Sequence, residues 1–236
     1  MLAIPAALTL LSLIVTWRTF PHPGELETVS PPPLHEHATF PSSFWWYLAA
    51  MSLVAIGYAD WPLIALHVSR HHLVSADLAP VLYAVAMAAE AVAALMLGKL
   101  FDRVGLLAVF AVTVLTAAYA PLVFLGGLPL VVAGALVWGP RMAAQESVIK
   151  AVITAIVPAD RRASAYGLFD TGFGIAWFGG SILLGLLYDT SLTALAIVSA
   201  AVQVAALPLI VLTRHRVGPD LARRAVPSHD QPDRGW

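Results

Sequence analysis

Seven apolar runs follow one another with little between them, at residues 2–17, 44–66, 78–98, 104–125, 129–149, 163–187 and 191–213. A hydrocarbon core of about 30 Å takes roughly 20 helical residues at about 1.5 Å each. Backbone polar groups have no water to turn to inside lipid, so a run of this length satisfies them by becoming a helix. Six runs reach full length, whereas residues 2–17 give about 24 Å and read as a truncated helix. Arg18 follows that first run and no basic leader precedes it, the reverse of a secretory signal. The expected fold class is an all-α polytopic membrane protein. Composition excludes a soluble domain: 59% hydrophobic and 11% charged residues, with mean hydropathy +0.81. The absence of cysteine removes disulfides and thiol chemistry, and a formal charge of -1 gives nucleic acid nothing to bind.

Charge position sets the expected orientation. If the runs alternate, Arg18, Lys99, Arg103, Lys150, Arg161, Arg162, Arg214, Arg216, Arg223, Arg224 and Arg234 fall on one face, against Arg70 on the other. Cytoplasmic loops retain such an excess of basic residues. The C-terminus is therefore expected in the cytoplasm, with the chain in a plasma or inner membrane. Residues 18–42, rich in proline, read as a cytoplasmic linker between residues 1–17 and a six-helix unit over 43–213. Residues 214–236 read as a polar cytoplasmic tail without apolar periodicity. Trp45, Trp46 and Tyr47 are expected at an interfacial aromatic belt.

Between the third and fourth runs stands GKLFDRVG, Gly98 to Gly105. Its glycines permit a sharp turn, and Asp102 is placed to cap the helix that follows. The order Gly, any, Leu, aromatic, Asp at Gly98–Asp102 returns at Gly185–Asp189, on the opposite membrane face. Opposite orientation of an echoed motif is what two inverted three-helix repeats produce. GKLFDRVG resembles the cytoplasmic loop motif of the major facilitator superfamily, with Leu106 and Leu107 where that family places two basic residues. Glu146–Asp170 and the stretch GFGIAWFGGSILLGLLYD resemble the family's tenth-to-eleventh helix junction and its eleventh helix. The resemblance implies the carboxy-terminal half of a secondary transporter, with residues 1–17 ending helix six and 44–213 forming helices seven to twelve. It further implies a small-solute substrate and alternating access, with Gly98, Asp102, Arg103 and Gly105 in a cytoplasmic gate. A missing amino-terminal half, or a second copy of the chain, would then be the partner. No cofactor is expected.

Ionisable residues within the runs are expensive and so are expected to face protein or water. Glu90 and Arg141 lie at matching depths and read as one buried ion pair, with Glu90 as the proton-coupling carboxylate. Asp60 and Gln145 read as polar groups of a cavity, Gln145 on the Arg141 face one turn away. Glu146 precedes Lys150 by one turn, the order of an intrahelical salt bridge. Pro62 and Pro140 interrupt the first helix of each repeat beside charge, where discontinuous helices line transport sites. Gly172, Ala176 and Gly180, with Ser181 and Gly185 beside them, form a small-residue face for close helix packing. Two other classes remain. A non-transporting scaffold or truncated relic would share the fold, and His67, His71 and His72 have the spacing of one histidine box of membrane di-iron enzymes, with His35 and His37 across the membrane.

Overall fold

The computed structural model describes residues 3–19, 40–75 and 77–225, and every element in them is helical. The chain divides between Thr39 and Phe40 into two units. The first contains α1 (Ala3–Thr19), and the expected linker lies mostly outside the described residues. The second is built from α2 (Ser42–Ile56), α3 (Trp61–Arg70), α4 (Ala79–Val104), α5 (Leu106–Ala117), α6 (Tyr119–Leu125), α7 (Leu128–Ala143), α8 (Ile149–Ile156), α9 (Arg162–Thr190) and α10 (Leu192–Ala225).

Among the described residues, five segments are long and apolar enough to cross a membrane: Ser42–Arg70, Ala79–Val104, Leu106–Leu125, Ala159–Thr190 and Leu192–Val217. The run expected at 129–149 is helical throughout but changes winding. Its α-helical part, α7, gives way to a five-residue π-turn at Ala144–Val148 before α8. Pro140 lies one turn upstream; it donates no hydrogen bond to the preceding turn and leaves room for the looser winding.

Packing between helices is reciprocal. Taking α2 to α6 as one three-helix unit and α7 to α10 as the other, the first helix of each packs on the second of the opposite unit, α2 on α9 and α7 on α4. Likewise α2 packs on α10 and α7 on α5. Glycines allow the tightest of these approaches. A Cβ on Gly139 of α7 would stand 2.6 Å from the Ala86 carbonyl oxygen and 2.7 Å from the Glu90 nitrogen of α4. One on Gly180 of α9 would stand 2.4 Å from the Ile56 carbonyl oxygen at the end of α2. The small face of α9 therefore does seat a neighbour at Gly180, and at Gly172 against Leu48, but Gly185 meets nothing within 4 Å and takes no part.

Three local expectations are corrected. Gly98 to Val104 are the last turns of α4, and the chain bends only at Gly105, whose φ of 58° suits glycine alone. Asp102 consequently lies within a helix and caps nothing; the residue before α5 is Gly105, with no side-chain cap. Tyr47 is buried, stacks on Phe169 at 5.6 Å and donates to the Ile149 carbonyl at 3.1 Å, while Trp46 lies under Arg216 at 5.3 Å. Only Trp45 keeps the exposure of a belt residue. The residues expected to open a polar tail at 214 instead continue α10, which runs to Ala225 across the Gly218-Pro219 pair.

The buried apolar residues fall into two cores stacked along the helices. One draws its members chiefly from α2, the Ala143–Val157 stretch and Phe169 and Phe173 of α9; the other chiefly from α3, α6, α7 and the Leu184–Leu195 stretch. Each long helix passes from one core to the other, and the crossing point is a layer of polar residues.

Candidate functional site

Arg141 occupies that layer and is wholly buried. Its Nη2 lies 3.8 Å from Asp60 Oδ1 and 3.2 Å from Met142 Sδ. The guanidinium is sandwiched by π-faces, its Cζ 4.1 Å from the Tyr58 ring centroid and 5.2 Å from that of Trp138. Such stacking stabilises a cation that water cannot reach. Nε and Nη1 have no hydrogen-bond partner among the described residues. A guanidinium with five donors thus holds two nitrogens in reserve.

Asp60 reaches Arg141 from the other repeat because the helix holding it is broken. α2 stops at Ile56, the backbone unwinds through Gly57–Asp60, and Pro62 opens α3 in the first turn, where its missing N–H costs nothing. Two of the freed carbonyls are answered from neighbouring helices. Ser199 Oγ donates to the Gly57 oxygen at 2.6 Å, Gln203 Nε2 to the same oxygen at 3.4 Å, and the Tyr119 hydroxyl to the Ala59 oxygen. Thr116 Oγ1 in turn donates to Gln203 Oε1 at 3.0 Å. A side chain on Gly57 would strike the Ser199 carbonyl and Gln203 Cγ, both at 2.7 Å, so the break is held tightly against α10. Asp60 Oδ2 accepts from Ser181 Oγ of α9 at 3.3 Å, and both residues line a cleft of about 370 Å³ with Pro62 and Leu63. The carboxylate side chain is 27% exposed there, against 0% for Arg141 behind it.

Arg141 therefore pairs with Asp60 and not with Glu90. Glu90 and Arg141 stand at similar distances from the ends of their helical segments, 14 residues before Val104 and 15 before Ile156. Rotation about the helix axis decides the partner. Glu90 is half-buried beside the α7 backbone at Gly139 and has no ion pair among the described residues. Gln145 is also displaced from its expected place. It sits inside the π-turn, which adds about one residue to the turn, and lines a separate pocket with Glu146, Lys150 and Asp170 rather than the Arg141 site. Glu146 and Lys150 do form their pair, at 3.8 Å.

The two copies of the echoed motif differ. At the end of α9 Asp189 accepts from Arg70 Nη1 of α3 at 2.8 Å, with the Arg70 guanidinium 5.4 Å from the Tyr188 ring. At the end of α4 Asp102 and Arg103 are both exposed and without an ion pair among the described residues. Within the histidine triplet, His67 is buried against Phe124 and near Tyr188 with its ring 4.4 Å from that of His71, while His71 and His72 are exposed. Among the described residues no three His, Cys, Asp or Glu side chains are grouped to hold a metal; His35 and His37 lie outside them.

Sequence reasoning missed Thr116, Ser199, Gln203 and Tyr119, and read Ser181 only as part of the packing face of α9. A signal was available for two of them, since Ser199 and Gln203 are polar, four residues apart, in the otherwise apolar run 191–213.

Comparison with known proteins agrees with this architecture. Two uncharacterized proteins, one of Mycobacterium bovis and one of Mycobacterium tuberculosis, are each 34% identical over 223 residues, covering 92% of this chain and 54% of theirs. The chain spans about half the length of these curated relatives. Residues 47–232 match the profile of the Major Facilitator Superfamily. With a multi-pass helical unit, reciprocal helix packing and a charged layer at its centre, the chain belongs to the Major Facilitator Superfamily, a family of membrane transporters.

Proposed function

We propose that this chain forms one six-helix wall of a secondary active transporter that moves a small solute by alternating access, coupled to protons. The observation that carries the reading is the buried Arg141, paired with Asp60 at the break in α2–α3 and holding two nitrogens without a hydrogen-bond partner among the described residues. A transport site needs charge that can exchange partners at modest cost. A 3.8 Å contact from a fully buried guanidinium to a carboxylate that opens on a cleft supplies it. Protonation of Asp60 would remove the negative partner and free the guanidinium for a carboxylate on the opposing wall. Glu90, alone at similar depth, is the second carboxylate available to carry a proton.

The opposing wall would come from an amino-terminal half or from a second copy of the chain. The half-length match to the relatives and the cleft on which Asp60 opens support this, with Gly98, Asp102, Arg103 and Gly105 presented to that wall as the cytoplasmic gate. The basic excess supports a cytoplasmic C-terminus in a plasma or inner membrane. The test is proton-gradient-driven uptake of a labelled solute panel into proteoliposomes, with the chain alone and co-reconstituted with the amino-terminal half of a relative. Uptake that is abolished by Asp60→Asn and by Arg141→Gln at equal protein level is expected. Uptake unchanged in both variants would sink the assignment.

A further inference from the structure

The pocket beside the π-turn has its own chemistry. Its volume is about 220 Å³, and its wall includes Gln145, Glu146 and Lys150 on one side and Asp170, Phe173 and Trp177 of α9 on the other. Two carboxylates against one ammonium leave one negative charge in excess. Lys150, the one cationic side chain in this wall, is already engaged by Glu146 at 3.8 Å. Asp170 is exposed and has no ion pair among the described residues. The Gln145 Oε1 atom is shielded from solvent and has no donor among the described residues. An acceptor buried without a donor is destabilising, and an N–H arriving from the pocket relieves it after a small rotation of the amide. Phe173 and Trp177 add π-faces, whose negative quadrupole favours a cation. Of the groups left unengaged in this wall, the Asp170 carboxylate and the Gln145 oxygen are acceptors, and the one buried donor without a partner among the described residues, Trp177 Nε1, lies toward the Asp60 cleft on α9.

The pocket is also aligned with the Asp60 cleft. Asp170, Gly174, Trp177 and Ser181 follow at spacings of four, three and four along α9, which is one face of a helix. The first three line this pocket, and Ser181 hydrogen-bonds Asp60 in the cleft above, with Trp177 between the two.

From these features we infer that the solute is a small organic cation bearing N–H donors, and that Asp170 and Gln145 form a cation-binding station between the cytoplasmic face and Asp60. This rests on the transporter reading for its meaning as a substrate site, but binding itself does not require transport. The station would take the ammonium on the Asp170 carboxylate and the Gln145 oxygen, with the apolar part of the solute against Phe173 and Trp177.

The experiment is equilibrium dialysis of labelled 2-phenylethylamine against the full chain in lipid nanodiscs at neutral pH, with 2-phenylethanol and phenylacetate as neutral and anionic competitors of similar shape. Saturable binding of the amine is expected, with both competitors at least tenfold weaker. Asp170→Asn should lower affinity tenfold or more. Lys150→Met, which frees Glu146, should raise it, a gain that misfolding does not produce. Absence of saturable binding, wild-type affinity in Asp170→Asn, or phenylacetate competing as well as the amine would overturn the assignment. Amine binding without gradient-driven uptake of any solute would leave the station standing and sink the transporter reading. Uptake of anions without amine binding would do the reverse.

Discussion

Replacing glycines of α9 by alanine, one at a time, separates close helix packing from mere helix propensity. At Gly180 the added Cβ would stand 2.4 Å from the Ile56 carbonyl oxygen and 2.6 Å from its Cα, both backbone atoms that cannot swing aside. Ordinary carbon contacts are about 3.5 to 4.0 Å, so α9 must retreat from the end of α2 by on the order of 1 Å. Overpacking of this kind costs about 1 to 3 kcal/mol, and the upper half of that range applies because the obstruction is backbone. Alanine returns about 1 kcal/mol of helix propensity, which leaves a net loss of about 1 to 2 kcal/mol. At Gly185 nothing lies within 4 Å, so the propensity gain is uncancelled and the variant should be stabilised by up to about 1 kcal/mol. Gly172 is intermediate, since its Cβ would meet the flexible end of Leu48 at 3.0 Å. Unfolding in mixed micelles of dodecylmaltoside and dodecyl sulfate should rank the variants Gly185→Ala, Gly172→Ala, Gly180→Ala from most to least stable, with about 2 to 3 kcal/mol between the extremes. Equal stability of Gly180→Ala and Gly185→Ala would refute the close approach of α9 to α2.

Gln203→Leu removes one donor from the Gly57 carbonyl and the acceptor of Thr116; the loss should be about 1 to 3 kcal/mol in the same assay, and near-wild-type stability would show that the break does not depend on α10. A double-mutant cycle over Asp60→Asn and Arg141→Met should give a coupling of about 1 kcal/mol, with the double variant more stable than Arg141→Met alone, because the partner charge is no longer stranded. Lys99→Cys, in a chain that has no native cysteine, should react with an impermeant maleimide only after the cytoplasmic face is opened; labelling in intact cells would invert the orientation.

The positions of the helices were legible because length and apolarity alone decide them in a bilayer, and each expected run has its helix. Depth was legible for the same reason, as Glu90, Arg141 and Asp60 do share the layer between the two cores. Rotation was not. One helical residue turns a side chain by about 100°, so the break at Gly57–Asp60 and the π-turn at Ala144–Val148 redirected Asp60 and Gln145 by amounts that periodicity cannot show. The prolines marked both places, yet Pro62 opens a new helix whereas Pro140 stays inside one. GKLFDRVG misled locally because its charges and glycines resemble a loop, while only Gly105 departs from the helix.

Alternating access is tested most directly at Ser181, which touches Asp60 in the cleft and can carry the chain's sole cysteine. In membrane vesicles of each orientation, Ser181→Cys should be modified by a charged, impermeant methanethiosulfonate from both faces, with a rise in one rate matched by a fall in the other when the proton gradient is reversed. Reaction from one face only, at a rate indifferent to the gradient, would contradict the account.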